Sequence, residues 1–152
     1  MKKPISRMMG GFTLLEILVA LIILSVGLLG LAGLQASGLR SNHSGYLRSQ
    51  ATLLAYEMTD RMRANRSTAL AENYDLLFSG STPTGTTIQD IDRAEWRSAL
   101  NSSLPSGSGQ IDCTSTGLCT IDVRWIDNRT IDPSDPDYNT KAYATFTMTT
   151  QL

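Results

Sequence analysis

The sequence holds 152 residues with an apolar share of 41% and a formal net charge of -1, a length for one domain and a composition ordinary for a protein with a folded core. Its basic residues are scattered, so the electrostatic footprint of a nucleic-acid binder is absent and no such partner is expected. The apolar residues, by contrast, are concentrated at one end.

Residues 1–11 carry Lys2, Lys3 and Arg7 and no acidic residue, a balance that keeps the amino end in the cytoplasm under the positive-inside rule. From Ile17 through Leu34 only Ser25 is polar. Residues 12–34, about 23 in all, make a helix of roughly 34 Å, enough to cross a bilayer core of about 30 Å. An ordinary secretory signal with a cut near Ala36 competes with this reading, but the run exceeds an h-region of about 7 to 15 residues.

Gly11-Phe12-Thr13-Leu14-Leu15-Glu16 sets a carboxylate inside this lipid-compatible segment. Its insertion costs on the order of 2.5 to 3.5 kcal/mol near a helix centre and less near an end, so Glu16 calls for a partner. A cut after Gly11 supplies one, because it frees an amino group on Phe12, one helical turn away on the same face. Glu16 can pair with that amine within one chain or with the amine of a neighbouring subunit, and the low dielectric strengthens either pair.

These residues resemble the class III signal of type IV prepilins and type II secretion pseudopilins. The resemblance implies that a prepilin peptidase cuts between Gly11 and Phe12 and methylates Phe12, and that Glu16 acts in assembly. It further implies a bacterial inner-membrane location, with the N-terminus cytoplasmic and the rest periplasmic, followed by incorporation into a filament.

Beyond the bilayer, Leu47, Ala51, Leu54, Met58 and Met62 trace one helical stripe, the pattern of a core-facing surface. A helix from Phe12 to about Asn65 would be roughly 80 Å long at about 1.5 Å per residue. Gly27, Gly30, Gly33, Gly38 and Gly45 weaken it by about 1 kcal/mol each relative to Ala, yet small residues permit close helix approach in a membrane. Residues 27–38 are expected to be helical in the isolated chain. His43, the single histidine, reads as a solvated position.

A head follows over residues 66–152, after a membrane half at 12–34 and an amphipathic half at 35–65. Residues 69–78 are expected to add a helical turn or two and residues 79–87 a loop. Asp92-Arg93-Ala94-Glu95 has capping-box spacing before Trp96, Leu100 and Leu104, which predicts a short helix ending near Pro105. Alternation predicts strands at residues 110–113, 119–127 and 141–152, an antiparallel meander with one face on the helix stripe. The fold class is thus α+β: a long N-terminal helix with a small sheet head and one short extra helix.

Cys113 and Cys119 flank a hairpin-like connection in an oxidising compartment, so a disulfide is expected; zinc ligation would lack nearby third and fourth ligands. Asp127, Asp132, Asp135 and Asp137 crowd one loop. Asp132, Asp135 and Asp137 are weak candidates for calcium, because Pro133 and Pro136 account for an exposed turn and the spacing is not that of an EF-hand. No cofactor and no metal are expected. The sequence has no Walker loop, no Gly-x-Ser-x-Gly elbow and one histidine, so a secreted or anchored enzyme is the less favoured class.

Residues 26–35 (VGLLGLAGLQ), residues 54–66 (LAYEMTDRMRANR), Ala94-Glu95-Trp96-Arg97 and residues 119–127 (CTIDVRWID) are, in this order, similar to minor pilins of the type IV pilus modification (PilV) family. That resemblance implies a subunit that primes pilus assembly and supports a tip adhesin. Its implied partners are prepilin peptidase, other minor pilins, the major pilin, the inner-membrane assembly platform and, before assembly, membrane lipid. A type II secretion minor pseudopilin is the alternative, because it shares the signal and the helix.

Overall fold

A computed structural model describes residues 11, 13–128 and 131–152. Residues 1–10, read as most of a leader, and Phe12 lie outside them. The elements are α1 (Leu14–Ala64), α2 (Arg66–Leu70), α3 (Ile88–Ser103), β1 (Ser108–Cys113), β2 (Leu118–Ile126), α4 (Tyr138–Lys141) and β3 (Tyr143–Gln151). The chain divides into two compact units, residues 1–42 and residues 43–152.

In the first unit every described residue from Thr13 to Asn42 is exposed. The glycine-rich stretch of residues 27–38 is helical throughout, in agreement with its composition of otherwise strong helix formers. Ser25, the isolated polar residue, donates its hydroxyl to the Leu21 carbonyl at 2.7 Å and so presents no unpaired donor to the surroundings.

The second unit contains the core. Leu47, Ala51, Leu54, Met58 and Met62 are all buried, as the stripe requires, together with Trp96, Leu100, Ile111, Ile121, Val123 and Trp125. The three strands form an antiparallel sheet in the order β1-β2-β3. Along β2 every second residue is buried, from Cys119 to Trp125, the mark of a strand with one face on a core. Trp96 anchors α3 to α1 by donating Nε1–H to the Leu54 carbonyl at 2.9 Å. A Cβ at position 109 would collide with the Trp96 ring, so Gly109 is what lets α3 lie this close to β1. Gly117 turns the β1-β2 hairpin with φ +87°.

Three sequence expectations need correction. Residues 69–78 do not extend a helix: α2 ends at Leu70, Glu72 adopts φ 60°, and Leu76 forms an isolated antiparallel bridge with Ile111. Apolar spacing cannot distinguish a short helix from a residue that closes a sheet edge. The capping box at Asp92 and Glu95 is not one, because α3 starts a turn earlier, at Ile88 after Thr87. Asp90 takes the box-like role, accepting hydrogen bonds from the Thr87 hydroxyl and backbone N–H, and these bonds with Arg93 hold its carboxyl below the usual range. Finally, the last strand begins at Tyr143, and Lys141 closes the short helix α4.

Candidate functional site

Thr13 begins α1. Its Oγ1 accepts from the Glu16 N–H at 3.3 Å, and its carbonyl accepts from the N–H groups of Glu16 and Ile17. This is an N-cap, with Thr13 and Glu16 at the spacing of a true capping box. Sequence reasoning overlooked it, although the T-x-x-E signal stands in the very stretch that carries the processing motif. Glu16 thereby has a local reason to be here, since a carboxylate in the first turn faces the positive end of the helix dipole. The cap leaves its carboxylate exposed on a face shared with Ile17, Ala20, Leu21 and Leu24.

Gly11 is exposed, and a Cβ there would meet nothing within 4 Å. The described part of the fold therefore makes no demand for glycine at this position. Phe12, the other half of the proposed junction, lies outside the described residues.

The surface that follows is apolar on all sides. Its leucines, isoleucines and valines from Leu14 to Leu39 are between 46% (Val19) and 81% (Leu14) exposed. By length and composition α1 is able to cross a membrane. Covering one such side chain is worth about 1.5 to 3 kcal/mol, so this stretch cannot remain bare in water.

In the second unit, Cys113 and Cys119 are bonded, with Cα atoms 4.1 Å apart. They face each other across β1 and β2, next to the pair in which Thr114 N–H bonds the Leu118 carbonyl. Theirs is consequently a non-hydrogen-bonded pair, the closer of the two antiparallel spacings.

Arg61, on the last turn of α1, holds Glu57 at 2.8 Å, Asp92 at 3.0 Å and Glu95 at 2.7 Å. Glu95 contributes most to raising its pKa above the ordinary value, with burial opposing, and Glu57 and Asp92 adding to the rise. The acidic pair mistaken for a cap thus straddles one guanidinium, because residues three apart share a helix face. The buried Tyr74 donates to Asp92 at 2.6 Å and accepts from the Asn65 amide; burial first, and then Asp92, push its phenol up to about 12. Asn65 in turn accepts from Thr68, tying the start of α2 to the end of α1.

The acidic residues of this loop are spoken for by nearby donors. Asp127 accepts from Ser44, and Asp132 from the backbone and hydroxyl of Ser134, which hold it below the usual carboxylate range. Asp135 accepts from the Asp137 N–H, and Asp135 and Asp137 both pair with Lys141. No group of three or more potential metal ligands occurs among the described residues. His43 is exposed.

Residues 6–32 match the family model of the prokaryotic N-terminal methylation motif. No curated protein and no solved structure matches the chain. The motif, the apolar α1 and the α+β head together support a type IV pilin-like protein, a class that includes prepilins and pseudopilins and is typically structural. The same motif implies processing by a prepilin peptidase, membrane anchoring and assembly with other pilin-like subunits.

Proposed function

We propose that the chain is a minor pilin of a type IV pilus, cut between Gly11 and Phe12, methylated at Phe12, and used to prime assembly with other minor pilins. The observation that carries this reading is the bare apolar surface of α1 headed by a single carboxylate. Lipid covers such a surface before assembly and neighbouring helices cover it afterwards. Gly11 fits a glycine read by an enzyme, because the described fold makes no use of it. The division into leader 1–11, membrane half 12–34, amphipathic half 35–65 and periplasmic head 66–152 belongs to the same proposal. The PilV-like segments supply the assignment to a pilus, with the major pilin, the inner-membrane platform and a tip adhesin as further partners.

Clean deletion tests the role. Priming requires fewer surface pili with an unchanged membrane pool of major pilin. Intact piliation combined with blocked export of secreted enzymes would assign the chain to a type II secretion system instead. Glu16→Ala separates insertion from assembly: it makes the segment more apolar, so insertion and cleavage persist, while entry into sheared pili falls. Normal incorporation of that variant would remove the pairing role of Glu16.

A further inference from the structure

Among the described residues Arg61, Arg93, Arg97 and Arg124 are half-buried arginines of the second unit. Arg61 and Arg93 have carboxylate partners, but Arg97 on α3 and Arg124 on β2 form no ion pair among those residues. A guanidinium withdrawn from water without a counter-charge is costly.

Both are nevertheless held in place by neutral groups. Arg97 donates its two terminal nitrogens to the Leu77 and Gly80 carbonyls. Burial first, and then the charge of Arg93, pull its guanidinium below the ordinary value, the direction for a cation short of negative neighbours. Arg124 donates Nε–H to the Ser108 hydroxyl at 2.9 Å. Its Cζ lies 4.2 Å from the centre of the Phe78 ring and 5.2 Å from that of Tyr143, so cation–π contacts fix the group. Its terminal nitrogens donate to nothing among the described residues. Asp122, two residues away on the same face of β2, is occupied by the Thr147 hydroxyl at 2.6 Å.

Phe78 and Ser108, which hold Arg124, line a cleft together with Arg97. Its volume is about 430 Å³, within the range of about 300 to 1,000 Å³ usual for small-molecule sites. Ser98 and Asn101, on the same face of α3 as Arg97, add a hydroxyl and an amide, both exposed and without a side-chain hydrogen bond among the described residues. No carboxylate lines the cleft. An aromatic wall with a few fixed polar groups is the make-up of a ligand site, and an arginine fork matches a carboxylate. An inorganic anion would leave Phe78 and the neutral donors unused, and a nucleic acid would need a longer basic track than two arginines. We infer that this cleft binds an acidic saccharide. Its carboxylate supplies the counter-charge that Arg97 and Arg124 lack, its hydroxyls meet Ser98 and Asn101, and the carbon face of a ring lies on Phe78. The inference does not rest on the assignment to a pilus.

The test is titration calorimetry of the full chain in neutral detergent with trigalacturonate and with its methyl ester, which keeps the rings and removes the charge. The acid should bind about tenfold more tightly than the ester, the loss expected for one charge-assisted hydrogen bond. Arg124→Gln should weaken the acid by about tenfold and leave the ester unchanged, whereas Arg48→Gln, at an exposed position on α1, should alter neither. Asn101→Asp decides independently of how Arg124→Gln folds, because it sets a like charge at an exposed position of the cleft. It too should weaken the acid and spare the ester. No heat from the acid, equal affinity for acid and ester, or an acid affinity untouched by Asn101→Asp would each overturn the inference. Displacement of the acid by inorganic phosphate at equal concentration would also overturn it, by reducing the cleft to a simple anion site.

Discussion

Residues 14–42 and residues 43–64 belong to one helix, yet the same side-chain types do opposite things in them. In the first stretch apolar residues occupy every side and all are exposed; in the second a stripe from Leu47 to Met62 is buried, and only Tyr46, Leu53 and Tyr56 among its large apolar side chains lie off that stripe and stay exposed. Apolarity on its own therefore does not say where a residue will be covered. The angular distribution does: a stripe is satisfied by the chain's own sheet and α3, whereas an all-round apolar surface needs lipid or other helices.

The sharpest way to break this contrast is to truncate one large side chain in each region and follow unfolding of the second unit by urea-dependent proteolysis. Trp96→Ala removes a fully buried indole and its bond to Leu54, and should cost about 3 to 5 kcal/mol. Leu28→Ala, at a side chain 58% exposed, should change that stability by less than about 0.5 kcal/mol. Comparable losses from the two would mean that the first region contributes to the head's folding.

Alkaline titration sharpens the account of the second region. The Tyr74 phenol, pushed up to about 12 by burial and then by its bond to Asp92, keeps its proton in the folded state above its ordinary value near 10. Its contribution is fully present below about pH 10 and is lost as pH climbs toward about 12, roughly 2 to 3 kcal/mol in all. Tyr74→Phe should flatten that decline, and an unchanged slope would contradict the assignment.

The disulfide should have a smaller effect than Trp96. Replacing Cys113 and Cys119 together by Ser opens a short loop worth about 2 to 2.5 kcal/mol on the chain-entropy model. The loss should appear in the urea midpoint of the second unit, with membrane insertion of the first unchanged.

Much of this was legible in the sequence, because the signals concerned are periodic or local. The four-and-three steps from Leu47 to Met62 located the core face, alternation located the strands of the meander, and the hairpin spacing located the Cys113–Cys119 bond. What was missed depended on partners distant in sequence. Asp92 and Glu95 have the spacing of a cap, and only the placement of Arg61 reveals their use. Leu76 reads like one more helical residue until Ile111 is seen to bridge it. At the candidate site, Gly11 and Glu16 stood out by chemistry, whereas a threonine among apolar residues shows its use only in the bond its hydroxyl accepts from the Glu16 N–H.

The central claim is that this chain is made to be cut and then packed through α1, and the mature N-terminus tests it most directly. Intact mass and N-terminal sequencing of the protein extracted from membranes should give a chain that begins at Phe12 and is heavier than its sequence by one CH2, a methyl in place of an amine hydrogen, and lighter by the two hydrogens of the Cys113–Cys119 bond. A chain that retains Met1, or one that begins near Ser37, would contradict it.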